Sequence, residues 1–392
     1  MSASTTSSAA TRILIAYVTA GAGHRRAAEA LAEVLRSELP QAEIHCHDVL
    51  RDAPRWFHKG YSTSYLFLVR HASWVWKFSY AFLDHVLFYR CLQPFRRLWN
   101  LFIVRRWIKR LQGHPYDVIL VTHFLPADVC SAGKQAGWLK SRLVVVVTDY
   151  HPHWFWISKQ PDAMIAAIPE SAVVLQRRGV APSQIHVIGI PVAKAFSEPV
   201  DRAALRGHFS LNPGRRAVLI TSGGTTVGQF EQVVEEIRLL EARLPGRLQL
   251  LVVCGDDTLM RNRLEQKASD GGMPMQVFGF VDFMSDLMAI SDLIVSKAGG
   301  LTVSESLASG VPLILYHVIP GQEQMNAEYV ARSGAAIIAR KPKDASEAVF
   351  VFFSEPDTAN HMRQAVLKVA HPDASKRIVD EVVIPLLNRE GK

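Results

Sequence analysis

The feature that most constrains this chain is an order of elements that runs once and then starts again. Arg12–Val18 (RILIAYV) is a short apolar, β-branched run, followed by a glycine-bearing loop and a helical pattern from Arg25 to Leu39. Strand-like runs recur at Ile44–Val49, Tyr116–Thr122, Arg142–Thr148, Met164–Ala167 and Ile185–Ile188. Runs that stay apolar at successive positions suit parallel strands covered on both faces, and their alternation with helical stretches predicts a doubly wound α/β domain. Between Pro191 and Pro213 the pattern lapses, then resumes with Ala217–Thr221, a Gly-Gly loop and a helix over Gln229–Leu244. Leu248–Cys254, Gln276–Phe280, Leu293–Ser296 and Pro312–Leu315 continue it. The sequence thus predicts two Rossmann-like domains, 12–195 and 196–375, facing each other across a cleft, with 376–392 as a C-terminal helix able to pack back on the first. Ligands of such sheets bind beyond the carboxyl ends of the strands, which puts the expected site in the cleft.

Composition narrows the class. Of 392 residues, 49% are apolar and 20% charged, which excludes wholesale disorder. The net charge of +8 is concentrated: eleven Lys/Arg and one acid, Asp84, lie between Arg55 and Arg110. Four scattered cysteines without a C-x-x-C pair argue against a zinc module or a disulfide framework and for a reducing compartment. The Ser/Thr/Ala-rich start, which we expect to be disordered, lacks the pattern of a signal peptide, and no stretch of about 18 residues is apolar enough to span a bilayer. The expected location is the cytoplasm.

Three loops can carry chemistry. Thr19–His24 (TAGAGH) approaches the dinucleotide pattern with Gly21 and Gly23, but Arg26 stands where the third small residue belongs. Asp48 lies at about the right distance for a ribose acid, and a plain tight turn is another reading. His24 at the mouth of the loop is suited to act as a base. Ser222–Thr226 (SGGTT) holds the matching place in the second half; it is either a βα turn or a diphosphate cradle of backbone amides and hydroxyls. The third is Ser296–Gly310 (SKAGGLTVSESLASG) followed by Pro320–Asn326 (PGQEQMN). There Thr302 and Glu305 share a helix face, and Glu323 can accept both hydroxyls of a ribose.

These segments, with GAGHRRAAEAL (21–31) and VTDYHPHWFW (147–156), resemble the monogalactosyldiacylglycerol synthases and processive diacylglycerol glucosyltransferases, relatives of the lipid-linked GlcNAc transferase of peptidoglycan synthesis. The resemblance implies a GT-B fold, an acceptor- and membrane-binding N-terminal domain, a C-terminal domain holding a UDP-hexose, and inversion at the anomeric carbon. By position, His24 matches the family's loop histidine, Glu323 its ribose-binding acid, and Lys297 with Gly299 and Gly300 its donor motif. Relatives often carry three glycines in the first loop, where this chain has Ala22. The expected donor set is Gly23, Gly223, Gly224, Thr225, Lys297, Gly299, Gly300, Thr302, Glu305, Gln322, Glu323 and Asn326. His24 is the expected base, with Asp149 as the alternative.

No D-x-D triplet occurs, so neither a metal nor another cofactor is expected, and helix N-termini, hydroxyls and Lys297 would meet the leaving diphosphate. The pairs His45/His47 and His151/His153 have metal-ligand spacing but no evident acidic partners. Five of the eight tryptophans fall in the basic window. On a helical wheel for 101–111, Leu101, Val104, Trp107, Ile108 and Leu111 oppose Arg105, Arg106, Lys109 and Arg110. That pattern suits an interfacial helix, with Trp99, Arg105, Arg106, Trp107, Lys109 and Arg110 as membrane contacts, or an amphipathic helix lying on the protein core. Nothing else suggests nucleic acid. The resulting expectation is a peripheral enzyme on the inner face of the cell membrane that moves a hexose from a UDP-sugar to diacylglycerol. Its rivals are a transferase with another lipid acceptor, a nucleotide-sugar epimerase on the same fold, and a binding module without transfer activity.

Overall fold

The computed structural model describes residues 10–19, 21–58, 60, 82, 84–224, 226 and 228–388. The apolar runs form two parallel six-stranded sheets of the GT-B type. The first has the order β2-β1-β3-β4-β5-β6, from β1 (Arg12–Tyr17), β2 (Glu43–Asp48), β3 (Val118–Val121), β4 (Arg142–Val146), β5 (Ala163–Ala166) and β6 (Ile185–Val187). Its helices are α1 (Ala22–Glu38), α2 (Val86–Ile103), α3 (Arg105–Gly113), α4 (Phe124–Gln135) and α5 (Pro169–Arg177).

The second sheet has the order β12-β11-β10-β7-β8-β9. Its strands are β7 (Arg216–Thr221), β8 (Leu248–Val253), β9 (Met275–Phe278), β10 (Leu293–Ser296), β11 (Leu313–Tyr316) and β12 (Ala336–Ala339). The helices after α5 are α6 (Arg202–His208), α7 (Phe230–Arg238), α8 (Thr258–Ser269), α9 (Met284–Ile290), α10 (Gly300–Ala308), α11 (Gln322–Arg332), α12 (Pro342–Ser354) and α13 (Pro356–Val369). Strand order reverses at β1/β3 in one sheet and at β7/β10 in the other, and each reversal opens a crevice at the carboxyl ends.

The last described elements are α14 (Ala374–Ile378), a π turn over Val379–Val383 and a helical turn over Ile384–Asn388. Ile378, Val379, Val382 and Val383 are buried against Ile13, Ile15, Leu120, Val144 and Leu31 of the N-terminal domain. The C-terminal segment therefore closes one face of a sheet to which it is remote in sequence. At the start of this segment, Ser375 Oγ donates to the Val192 carbonyl at 2.7 Å. Gly189, at φ +121°, leaves no room for a Cβ, which would lie 2.6 Å from that of His371.

The basic window is corrected in one respect. The apolar side of α3 is spent inside the domain: Trp107 is 1% exposed and packs with Ile103, Val104, Leu111, Val49 and Leu50. Trp107 is thus a core residue and not a membrane contact. A helical wheel identifies an apolar side but not what covers it. The uncovered apolar face lies on α2, where Leu87, Phe88, Leu92, Phe95, Leu98, Trp99 and Phe102 form one exposed stripe. Tyr89, Asn100 and Ile103, on the other side of α2, are buried.

Because the C-terminal segment completes the first sheet's core, Ile378→Ala should cost about 2–4 kcal/mol of stability. The loss is expected in the N-terminal domain, as faster amide exchange in β1 and β3. Exchange confined to residues after 374 would show that the segment is an independent appendage.

Candidate active site

The loops after β1, β3 and β4 meet those after β10 and β11 where the two switch points face each other. Gly21, at φ +108°, turns the chain from β1 into α1 and puts His24 in the first helical turn. The His24 Nδ1 lies 2.7 Å from the Thr122 carbonyl oxygen. A carbonyl can only accept, so Nδ1 carries the proton and Nε2 keeps its lone pair. Thr122 returns a bond from its hydroxyl to the His24 carbonyl at 2.8 Å, and the Thr148 hydroxyl lies 3.0 Å from the same Nδ1. Burial pushes the His24 pKa down to about 4, partly opposed by the bond to Thr122, so the ring is neutral at pH 7. His123 meets its edge at 4.6 Å and caps α4, accepting from the Leu125 amide.

Residues 148–150, at the end of β4, form a strap between the domains. Asp149 is buried and accepts from the Trp156 indole at 2.8 Å and from the Gln322 side-chain amide. Desolvation raises its pKa to about 6 against those two bonds. The Tyr150 amide donates to Asn326 Oδ1 at 3.1 Å, and Asn326 Nδ2 donates to the Ala298 carbonyl at 3.0 Å. The Tyr150 hydroxyl pairs with Ser304 at 2.9 Å. Gly300 approaches so closely that a Cβ there would lie 2.5 Å from the Thr148 carbonyl oxygen.

On the C-terminal side, Gly223 (φ +82°) and Gly224 form the turn after β7, which rests on Gly255. The Thr226 hydroxyl donates to Asp257, and Thr225 lies outside the described residues. Lys297 sits 3.8 Å from Glu323, whose other oxygen accepts from the Ile319 amide at 3.4 Å. Burial raises the Glu323 pKa, with Lys297 opposing. Gly299 is the N-cap of α10 and Gly23 packs beside Leu301. Thr302 is half-buried, whereas Glu305 is 2% exposed. Glu305 faces Arg26 of α1 at 3.6 Å, its Oε2 has no hydrogen-bond partner, and desolvation lifts its pKa to about 7.

The fold therefore brings His24, Asp149, Gly300, Gln322 and Asn326 into one contact set and seats Lys297 and Glu323 beside it. Glu305 and Asn326 spend their polar groups at the domain interface. Sequence reasoning missed Arg26, Thr122, Thr148 and Trp156. It also missed His317, a non-glycine residue at φ +44° whose ring lies against Gly228. Threonines closing apolar strands carry no signal that they end beside a histidine. The histidine pairs have other partners: His47 bonds Asp52 at 2.6 Å, and His151 and His153 lie 3.9 and 3.6 Å from Asp84.

Comparison with known proteins covers both domains. The family model described as monogalactosyldiacylglycerol (MGDG) synthase matches residues 24–192, and the glycosyltransferase family 28 C-terminal domain matches 217–378. The probable monogalactosyldiacylglycerol synthase 2, chloroplastic, of Oryza sativa subsp. japonica is 30% identical over 397 residues, covering 95% of this chain and 80% of the relative. The processive diacylglycerol beta-glucosyltransferase of Bacillus subtilis is 29% identical over 238 residues, 61% of each chain. Among solved structures, MurG of Acinetobacter baumannii superposes with a TM-score of 0.58 at 16% identity, covering 95% of this chain and 99% of that one.

Asp149 supplies a test of the closed interface. Its pKa is raised on folding, so the folded state holds the proton more tightly, and its contribution to stability is lost as pH rises from about 4 through about 6. Asp149→Asn removes the ionisation while keeping an acceptor. The difference in unfolding free energy between variant and wild type should therefore shift in favour of the variant across that window and stay flat above it. A difference independent of pH would show that Asp149 is solvated.

Proposed function

The chain belongs to the monogalactosyldiacylglycerol synthase family and is a UDP-sugar-dependent diacylglycerol hexosyltransferase; we propose that His24 is its general base and that the reaction inverts the anomeric carbon without a metal. The observation that carries this reading is the His24 ring, neutral, with Nδ1–H committed to Thr122 and Nε2 available, at the junction of the two switch points. In one displacement the acceptor hydroxyl attacks the anomeric carbon, its proton passes to Nε2, and the bond to the UDP oxygen breaks. Glu323 accepts the ribose hydroxyls. Gly223, Gly224, Lys297 and the amides opening α10 receive the diphosphate. Gln322 and Asn326 hold the donor edge of the cleft against the strap.

Membrane recruitment belongs to the same reading. Among the described residues no helix is long and apolar enough to cross a membrane. The α2 stripe, with Phe95 72% and Leu98 67% exposed, sets large apolar side chains side by side in solvent, as interaction surfaces do. Arg90, Arg105, Arg106 and Lys109 are exposed on α2 and α3, and Arg105 lies 4.9 Å from the Phe102 ring. Arg110 divides itself between solvent and Asp52. Apolar residues beside cations fit an anionic bilayer surface, each cation adding about 1 kcal/mol. That surface would be the inner face of the cell membrane, on the cytoplasmic side.

The assay supplies diacylglycerol vesicles with a panel of UDP-hexoses and identifies the lipid product by mass and by the NMR coupling of its anomeric proton. We expect one glycolipid of inverted configuration, formed equally in excess EDTA. His24→Ala should lower kcat about 10²–10⁴-fold with donor affinity intact. Glu323→Ala should weaken donor binding about 5–150-fold, the equivalent of two orphaned hydroxyls. Severe loss in Asp149→Asn with mild loss in His24→Ala would reverse the two roles.

Vesicle co-sedimentation tests the membrane face. Replacing Phe95, Leu98 and Phe102 together with Ser should weaken binding to anionic vesicles by at least about 10-fold, given about 1.5–3 kcal/mol per buried side chain. Wild-type binding by that variant would show that α2 faces something other than lipid.

A further inference from the structure

Thr148 touches both domains with two different atoms. Its hydroxyl is 3.0 Å from His24 Nδ1, and its carbonyl oxygen is the atom that a Cβ at Gly300 would strike. Residue 148 is buried, and the next two residues continue the contact with the C-terminal domain through Gln322, Asn326 and Ser304. The Thr122 carbonyl already takes the Nδ1 proton at 2.7 Å. With that proton so directed, the Thr148 hydroxyl offers a second lone pair to the same N–H and opposes the half-turn about χ2 that would put Cδ2 in the place of Nδ1 and Cε1 in that of Nε2. The carbonyl fixes the tautomer, and a second acceptor for the same N–H narrows the range of χ2 over which the proton stays bonded.

We propose that Thr148 is a positioning residue: with the Thr122 carbonyl it locks His24 as the Nδ1–H tautomer with Nε2 toward the cleft, and its backbone ties that orientation to the seating of α10. The proposal rests on His24 being the base, and it adds the group that aims the base. When Nε2 gains the acceptor's proton, the ring becomes an imidazolium whose Nδ1–H bonds strengthen, because the donor is now charged. Thr148 thus favours the state formed during transfer as well as the geometry before it. The link to α10 has a simple mechanical origin. Any displacement of Gly300 is passed directly to the Thr148 backbone, since there is no side chain between them to absorb it.

The test uses Thr148→Val, which keeps the shape and removes the hydroxyl, Thr148→Ser, which restores it, and Gly300→Ala on the other domain. Histidine ring nitrogens are labelled with 15N, and His24 is assigned by the signals missing in His24→Gln. Wild type should show His24 as a single Nδ1–H tautomer. Thr148→Val should shift and broaden the His24 ring-nitrogen signals as the ring gains freedom about χ2, and lower kcat about 10-fold at unchanged KM for the UDP-hexose, as expected for a misaimed group. Thr148→Ser should recover both readings, and Gly300→Ala should perturb the His24 signals from across the interface. A wild-type Nε2–H tautomer overturns the proposal, as does Thr148→Val with an unaltered ring pattern and full kcat. Should His24→Gln retain full turnover while the wild-type tautomer is Nδ1–H, the assignment of His24 as base fails and the account of what orients the ring stands.

Discussion

How closely the two domains meet is set at position 300, where the absence of a side chain lets α10 rest on the Thr148 carbonyl. The rest of the site follows from that approach. It brings the helix that opens the donor motif against the strand end that supports His24. It lets Asp149 reach Gln322, and Asn326 bridge the Tyr150 amide and the Ala298 carbonyl. An apolar cluster then runs through both domains, with Ala27, Tyr150, Ile168 and Ile190 packed among Ala298, Leu301, Val303 and Ala327. The first atom a larger residue at 300 would strike is backbone, the Thr148 carbonyl oxygen, and close packing leaves little slack to accommodate it.

Exclusion of water at this seam has one electrostatic direction. His24 is pushed down, while Asp149 and Glu305 are pushed up, so each group moves toward its neutral form. Glu305 shows how the seam tolerates a carboxylate: Arg26 stands 3.6 Å from its Oε2, near enough for an ion pair and too far for a good hydrogen bond. A neutral base is what proton abstraction requires, and burial supplies it without a neighbouring carboxylate bonded to the ring. The Thr122 carbonyl is a weaker partner than a carboxylate would be. It orients His24 without raising its pKa far.

Much of this was legible in the sequence. Successive apolar residues marked the strands, and glycines after β1, β7 and β10 marked the loops at the switch points, because backbone turns there restrict the residue type. His24, Lys297 and Glu323 stood out as polar residues in those loops. What was not legible depends on tertiary covering. Trp107 and Phe95 lie in the same basic window, yet one is sealed under α3 and the other is open on α2. Glu305 reads as a ligand group on a helix face, and only the packing of α1 on α10 shows that the face is already taken. Thr122 and Thr148 end two unremarkable strands, and their roles come from where β3 and β4 stop relative to α1.

The same layering bears on how a lipid hydroxyl can reach a base that is half-buried. The inner side of α2 packs on α4, where Asn100 donates to Asp128 at 2.8 Å. The cap of α4 is His123, whose ring meets His24 edge-on at 4.6 Å. Helix α4 therefore lies between α2, which carries the proposed membrane face on its outer side, and the proposed base, and the axes of packed helices run about 8–10 Å apart. If α2 meets the bilayer as proposed, its exposed aromatic residues would keep acyl chains out of water on the side of α4 away from His24.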